Sequence, residues 1–205
     1  MKRAIGNKRR QNEARILEAA ERVFAERGFG AATTAAIARR AGLPKANLHY
    51  YFRTKEALYR QVLENILALW LGTADPIRPE ADPKAALSRY IADKIEYSRR
   101  RPFASKVFAN EILHGAPCLA GQLSGDLKAW VDAKCAVLEG WIAAGRMAPV
   151  DPPHLFFVIW AATQTYADFD VQAAAVLGRA HLRPANFRTS ADLVTRMVLG
   201  ICGLS

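Results

Sequence analysis

The sequence predicts an all-α protein: an N-terminal three-helix helix-turn-helix head followed by a larger helical body. Three observations carry this. Apolar residues recur at three- and four-residue spacing along most of the chain, with no alternating strand pattern of useful length. Glycine and proline punctuate that periodicity where helices should end. Positive charge is concentrated at one end: residues 1–60 hold 14 Lys/Arg against 5 Asp/Glu, whereas residues 61–205 hold 15 against 14. The net charge of +10 therefore belongs almost wholly to the first sixty residues. Such asymmetry suits a head that meets a polyanion and a body with another task. Nucleic acid, an anionic membrane and a solubilising basic surface all fit the charge alone.

Each element follows from its local pattern. Ile16, Leu17, Ala20, Val23 and Phe24, interleaved with Glu13, Glu18, Glu21 and Arg22, make an amphipathic helix that Gly28 ends. Thr33 or Thr34 caps a short second helix that runs through Ile37 to Ala41. Gly42-Leu43-Pro44 is a turn, glycine suiting a positive φ and proline the start of the next helix. A third helix spans about Lys45 to Phe52. Thr54 caps a fourth, with Leu58, Val62, Ile66 and Trp70 on one face. The head comprises residues 1–54 and the body residues 55–205.

In the body, Asp75–Pro83 holds three prolines and reads as a loop. Ala85–Arg100, Phe103–Leu113 and Leu119–Ala144 read as helices, broken at Arg101-Pro102 and at His114–Pro117. Gly145–Pro153 is a further break. Leu155–Asp170 is apolar on nearly every face, as in a helix covered on both sides. Gly178–Ala185 is a loop, and Arg188–Gly200 is the last helix.

Several function classes are disfavoured. The longest apolar run, Leu155–Ala162, has eight residues, against roughly 20 for a membrane span. No apolar signal core follows the basic Met1–Arg10, so a cytoplasmic protein without a membrane partner is expected. Cys118, Cys135 and Cys202 lie far apart, forming neither a disulfide framework nor a zinc site. The four histidines give no metal constellation, and no cofactor is expected. Nucleophile-elbow, phosphate-loop and dinucleotide fingerprints are missing, so no enzyme is expected. Glu111 and His114, three apart, make an acid/base pair at most, without a nucleophile nearby.

Short helix, glycine turn and short helix on a basic background is a helix-turn-helix pattern. The DNA major groove admits one helix, whose N-terminal side chains then meet base edges. Here that helix opens Lys45-Ala46-Asn47 behind Pro44. Asn47 both donates and accepts, so it can read a base. Lys45, His49, Tyr51 and Lys55 can reach phosphates, and Thr34 adds to them. Leu48, Tyr50 and Phe52 fit packing against Ile37 and Phe24.

The stretch from Thr34 to Leu58, with Gly42-Leu-Pro-Lys-Ala-Asn-Leu-His-Tyr-Tyr-Phe52 at its centre, resembles the DNA-binding signature of TetR-type regulators. The resemblance covers about residues 10–60. It departs at Leu43-Pro44, where Val-Ser is usual, and at His49, where Tyr is commonest. It implies an all-helical homodimer with a ligand-responsive body, usually a repressor of a double-stranded DNA operator. The DNA-contacting set is then Thr34, Pro44, Lys45, Ala46, Asn47, His49, Tyr51 and Lys55.

In the body, Trp160, Gln164 and Asp168 stand at i, i+4 and i+8 and form one stripe. An aromatic plane beside an amide and a carboxylate can hold a flat polar heterocycle, with Trp70 as a second plane. The same tryptophans also fit an ordinary core. Trp70-Leu71, Gly115-Ala-Pro117, Leu123–Lys128, Gly140-Trp141, Asp151-Pro152 and Ile159–Phe169 resemble the pyrimidine-utilisation branch of the TetR-type family. That resemblance implies a uracil- or thymine-like effector, lined by Trp70, Trp160 and Gln164. Asp168 and Tyr166 join from the stripe. The last two helices are expected to pair with their copies across a two-fold axis, although one subunit alone can also cover them. Ligand would act through the helix from Thr54 to Leu71, which carries Lys55 at one end and Trp70 at the other. Three alternatives stand beside this: a non-pyrimidine effector, an architectural DNA binder without effector, and an adaptor using a Trp130–Trp141 face.

Overall fold

The computed structural model describes residues 2–72 and 76–204, with side chains from residue 8 onward. Met1, and Asp75 at the start of the expected loop, lie outside the described residues. The described residues form helices in the order α1 (Lys2–Ala31), α2 (Thr34–Arg40), α3 (Lys45–Tyr51), α4 (Lys55–Gly72), α5 (Pro83–Arg100), α6 (Pro102–Leu113), α7 (Ala120–Gln122), a π-helical turn (Leu123–Leu127), α8 (Lys128–Ala143), α9 (Pro152–Asp168), α10 (Asp170–Val176) and α11 (Pro184–Ile201). No strand occurs among them. The chain divides into two compact units, Met1–Leu67 with Lys106–Ala120, and Ala68–Ser105 with Gly121–Ser205.

The first unit is built on α1, whose buried face carries Ile16, Ala19, Ala20, Val23 and Phe24. α1 starts well before that apolar pattern, because residues 2–15 are mostly good helix formers. Gly28 takes φ 70° and ψ 169°, values an L side chain resists, and one further turn reaches Ala31. Thr33, rather than Thr34, caps α2: its hydroxyl accepts from Ala36 N–H at 3.1 Å. Thr54 caps α4 through Ala57 N–H at 3.0 Å. Tyr59 packs its ring edge-on against Phe24, 4.8 Å between centroids, so the head's core extends into α4.

In the second unit, Leu87, Tyr90, Ile91 and Ile95 of α5 pack with Leu138 and Trp141 of α8, Phe156 and Ile159 of α9, and Val198 of α11. α9 and α11 start at Pro152 and Pro184, earlier than their periodicity suggests, because proline fits a first helical turn that needs no N–H donor. The expected Leu119–Ala144 helix is instead interrupted by the π turn at Leu123–Leu127, where Ser124 and Gly125 are weak helix formers. α9 ends at Asp168, and α10 follows as a separate helix. One side of α9 is uncovered within the chain: Phe157 and Val158 are exposed, as are Leu193, Met197 and Ile201 of α11.

Two of the alternatives raised by the sequence find no support here. Trp141 is buried and its Nε1 donates to Pro79 O at 3.1 Å, so Trp130 and Trp141 present no adaptor face. Glu111 and His114 form no acid/base pair: Glu111 is buried and accepts from Cys118 N–H at 2.6 Å, while exposed His114 holds Asn110 O at 2.7 Å. No helix among the described residues is long and apolar enough to cross a membrane.

Candidate nucleic-acid interface and effector site

The turn between α2 and α3 is set by Gly42 at φ 63°. Its N–H donates to Arg39 O at 3.1 Å, and Leu43 N–H donates to Ala38 O at 3.0 Å. Arg15 of α1 adds a clamp, donating from Nη2 to Ala41 O at 2.6 Å. A Cβ on Gly42 would stand 2.9 Å from that nitrogen. Pro44 precedes α3, and Leu48 and Phe52 are the buried anchors of that segment. The placement leaves Pro44, Lys45, Ala46, Asn47 and His49 exposed together, with Thr34 half-buried at the start of α2.

Tyr50 and Lys55 depart from their expected roles, and Tyr51 is partly engaged within the head. Tyr50 is 71% exposed rather than packed, because two residues of helix turn it about 200° from Leu48. Tyr51 is half-buried, and its hydroxyl accepts from Asn12 Nδ2 at 3.4 Å. Lys55 is turned inward on the end of α1: Nζ donates to the carbonyls of Phe29 at 2.7 Å, Ala32 at 3.1 Å and Gly30 at 3.3 Å. It also lies 4.3 Å from the centroid of the Phe29 ring. With its three donors engaged by carbonyls, this ammonium clamps the head together.

In the body, Trp160 donates from Nε1 to Tyr90 Oη at 2.7 Å. The Trp130 ring lies 6.3 Å from that of Trp160 and 5.5 Å from that of Phe156, and its Nε1 donates to Leu71 O at 2.9 Å. One turn along α5 from Tyr90 comes Lys94, 4% exposed, with Nζ 4.5 Å from the centroid of Trp70. Burial pulls the Lys94 ammonium down to a pKa of about 8, against the opposing pull of the Asp168 charge. Gln164, half-buried, lies one turn from both Trp160 and Asp168 and has no hydrogen-bond partner among the described residues. Two of the five expected effector residues, Trp70 and Asp168, thus meet at a buried cation on α5, while Trp160 holds Tyr90 one turn away and Gln164 lies between Trp160 and Asp168 along α9. Lys94 was missing from the expected set. Its signal is a lysine on the apolar stripe of Leu87, Tyr90, Ile91 and Ile95.

Tyr166 does not join them. It is two residues beyond Gln164 and points elsewhere, 6.0 Å from the ring of Phe187. With Arg99, Asp170 and His181 it lines a separate cleft of about 330 Å³.

A helix-turn-helix head with a polar-aromatic cluster in a helical body is the arrangement of a ligand-sensing DNA binder. Residues 16–62 match the bacterial regulatory proteins of the tetR family, and residues 63–205 match the C-terminal region of YcdC-like proteins. The chain belongs to the TetR family. It is 45% identical over 184 residues to the HTH-type transcriptional regulator RutR of Escherichia coli, covering 90% of this chain and 87% of that protein. It is 35% identical over 135 residues to the HTH-type transcriptional repressor NicS of Pseudomonas putida, covering 64% of this chain and 61% of that one. A TetR-like transcriptional regulator from Rhodococcus sp. RHA1 shares the fold with a TM-score of 0.67 at 19% identity, over 93% of this chain and 95% of that one. A TetR family regulator from Marinobacter aquaeolei gives 0.68 at 18% identity, over 93% and 96%. TetR-family proteins are transcriptional regulators, not enzymes, that bind DNA operators and small-molecule effectors, typically as dimers.

Proposed function

We propose that this TetR-family regulator is a cytoplasmic homodimeric repressor that senses a uracil- or thymine-like pyrimidine. The cluster of Trp70, Lys94, Trp160, Gln164 and Asp168 carries the reading. A pyrimidine dione is flat, accepts at its carbonyls and donates at its ring N–H groups. The Lys94 ammonium suits a carbonyl, the Asp168 carboxylate suits an N–H, and the Gln164 amide pairs with an adjacent acceptor and donor. The indoles of Trp70 and Trp160 supply planes for the ring. In such a site the polar groups choose the ligand, because leaving any of them unmatched is costly.

The head, residues 1–54, reads DNA through Thr34, Pro44, Lys45, Ala46, Asn47, His49 and Tyr51, with Lys55 reassigned to holding α1. The body, residues 55–205, binds effector and partner. The exposed Phe157, Val158, Leu193, Met197 and Ile201 support pairing of α9 and α11 with their copies. Two heads about 34–36 Å apart then fit successive major grooves. α4 carries Lys55, which clamps the end of α1, near its start and Trp70 near its end, so a ligand that favours one setting of α4 changes DNA affinity.

A thermal-shift screen against uracil, thymine, cytosine, purines and unrelated aromatic acids tests the effector class. Ligand at 100 times its dissociation constant should stabilise by about 2.7 kcal/mol. A response to uracil or thymine that Gln164→Ala removes is expected. A response to a purine or an aromatic acid alone refutes the pyrimidine assignment.

A further inference from the structure

The side of α1 that faces the head's core does not end where the core ends. Ile16, Ala19, Ala20 and Val23 are buried along it. Followed toward the start of the helix at the same spacing, this stripe reaches Asn12 and Arg9, with Lys8 beside it. Apolar side chains give way there to exposed cations. These cations stand against the recognition helix: Arg9 Cζ lies 5.9 Å from the centroid of Tyr50, and Asn12 holds the Tyr51 hydroxyl at 3.4 Å. Tyr50 itself is 71% exposed. Arg10 falls off the stripe, on the far side of α1.

A helical stretch that buries so little apolar surface draws little support from packing. Its charge is complementary to a phosphodiester backbone, and it adjoins the helix that enters the groove. We propose that Lys8 and Arg9 of α1, braced on Tyr50 of α3, form a second phosphate-gripping surface on double-stranded DNA, beside the residues of α2 and α3 assigned above. The guanidinium forks onto phosphate oxygens while its contact with the Tyr50 ring holds it ready, and the Tyr50 hydroxyl adds a donor. Contacts of this kind carry no sequence information, so they raise affinity for operator and non-operator DNA alike. The proposal rests on DNA binding by the head.

The test is the salt dependence of binding to a fluorescent duplex selected from a random pool by the protein itself, with a scrambled duplex beside it. Affinities are measured between about 50 and 200 mM KCl. Each phosphate neutralised contributes about 0.9 to the slope of log affinity against log salt. Lys8→Ala/Arg9→Ala should lower that slope by nearly 2 per head on both duplexes, leaving their affinity ratio unchanged. Arg10→Ala should leave the slope at the parent value. Arg9→Gln, which keeps the length of the side chain, should lower it by about 1. An unchanged slope in the double variant overturns the proposal, as does an equal loss in Arg10→Ala, which would reveal a general charge effect. Loss of binding to vesicles of anionic phospholipid with an intact DNA slope would assign the patch to a membrane instead. Failure of the parent chain to bind any duplex would strike the DNA-binding reading rather than this surface.

Discussion

Replacing Lys94 by methionine should change how the stability of the effector-free protein responds to pH. The ammonium is 4% exposed, and burial lowers its pKa from 10.5 to about 8. Between those values the unfolded chain holds a proton that the folded chain has released. Stability therefore rises with pH through that window and is flat below it. A tenfold difference in proton affinity between the two states is worth about 1.4 kcal/mol, and integrating from pH 7 to pH 10 gives a gain of about 2–3 kcal/mol. Methionine keeps the volume and removes the proton. Its loss of the Trp70 contact and of the charge opposite Asp168 shifts the whole curve, whereas the slope reports Lys94. Burial also raises the pKa of Tyr59, Tyr90 and the cysteines, which lowers stability at high pH in both proteins equally. The quantity to measure is the difference in urea-unfolding free energy, parent minus Lys94→Met, at fixed protein concentration and ionic strength. It should climb by about 2–3 kcal/mol from pH 7 to pH 10. A difference that stays level would show that Lys94 is not a buried cation, and the effector site as described would lose its central charge.

Three further outcomes are expected. Trp160→Phe leaves the buried Tyr90 hydroxyl without its 2.7 Å donor and should lower stability by about 1–3 kcal/mol in a denaturant titration. Lys55→Met removes a charged donor from three carbonyls and should destabilise the chain by about 2 kcal/mol while leaving the salt slope of DNA binding unchanged; a lower slope would restore Lys55 as a phosphate contact. Leu193→Glu, at an exposed position on α11, should give a folded monomer by sizing or light scattering, with parent-like helical content by circular dichroism and lower stability from the lost association. A dimer that persists would move the interface elsewhere.

The helix-turn-helix was legible in the sequence because it is local. A glycine at positive φ, a proline opening α3 and Leu48 and Phe52 four apart define it with little help from distant residues. Side-chain direction was less legible. In Leu-His-Tyr-Tyr-Phe, Tyr50 reads as a packing residue with Leu48 and Phe52, whereas helical geometry buries Leu48 and Phe52 and turns Tyr50 outward. Tyr166 parts from Gln164 for the same reason, since it is near Gln164 in sequence but on another side of α9, against Phe187. Prolines at 152 and 184 read as breaks, yet each opens a helix. Lys55 was unreadable from its neighbours, because its partners lie more than twenty residues earlier at the end of α1. Lys94 was readable in principle: a lysine in an apolar stripe must either bury its charge or break the pattern.

The most direct test of the central claim is operator binding as a function of pyrimidine. Fluorescence anisotropy of a duplex selected by the protein would be followed while uracil, thymine or adenine is added, for the parent chain and for Gln164→Ala. A shift of at least tenfold in DNA affinity with uracil or thymine, corresponding to about 1.4 kcal/mol of coupling, is expected in the parent and not in the variant. DNA affinity that ignores every pyrimidine, or that responds equally in Gln164→Ala, would contradict a pyrimidine-sensing regulator built on this cluster.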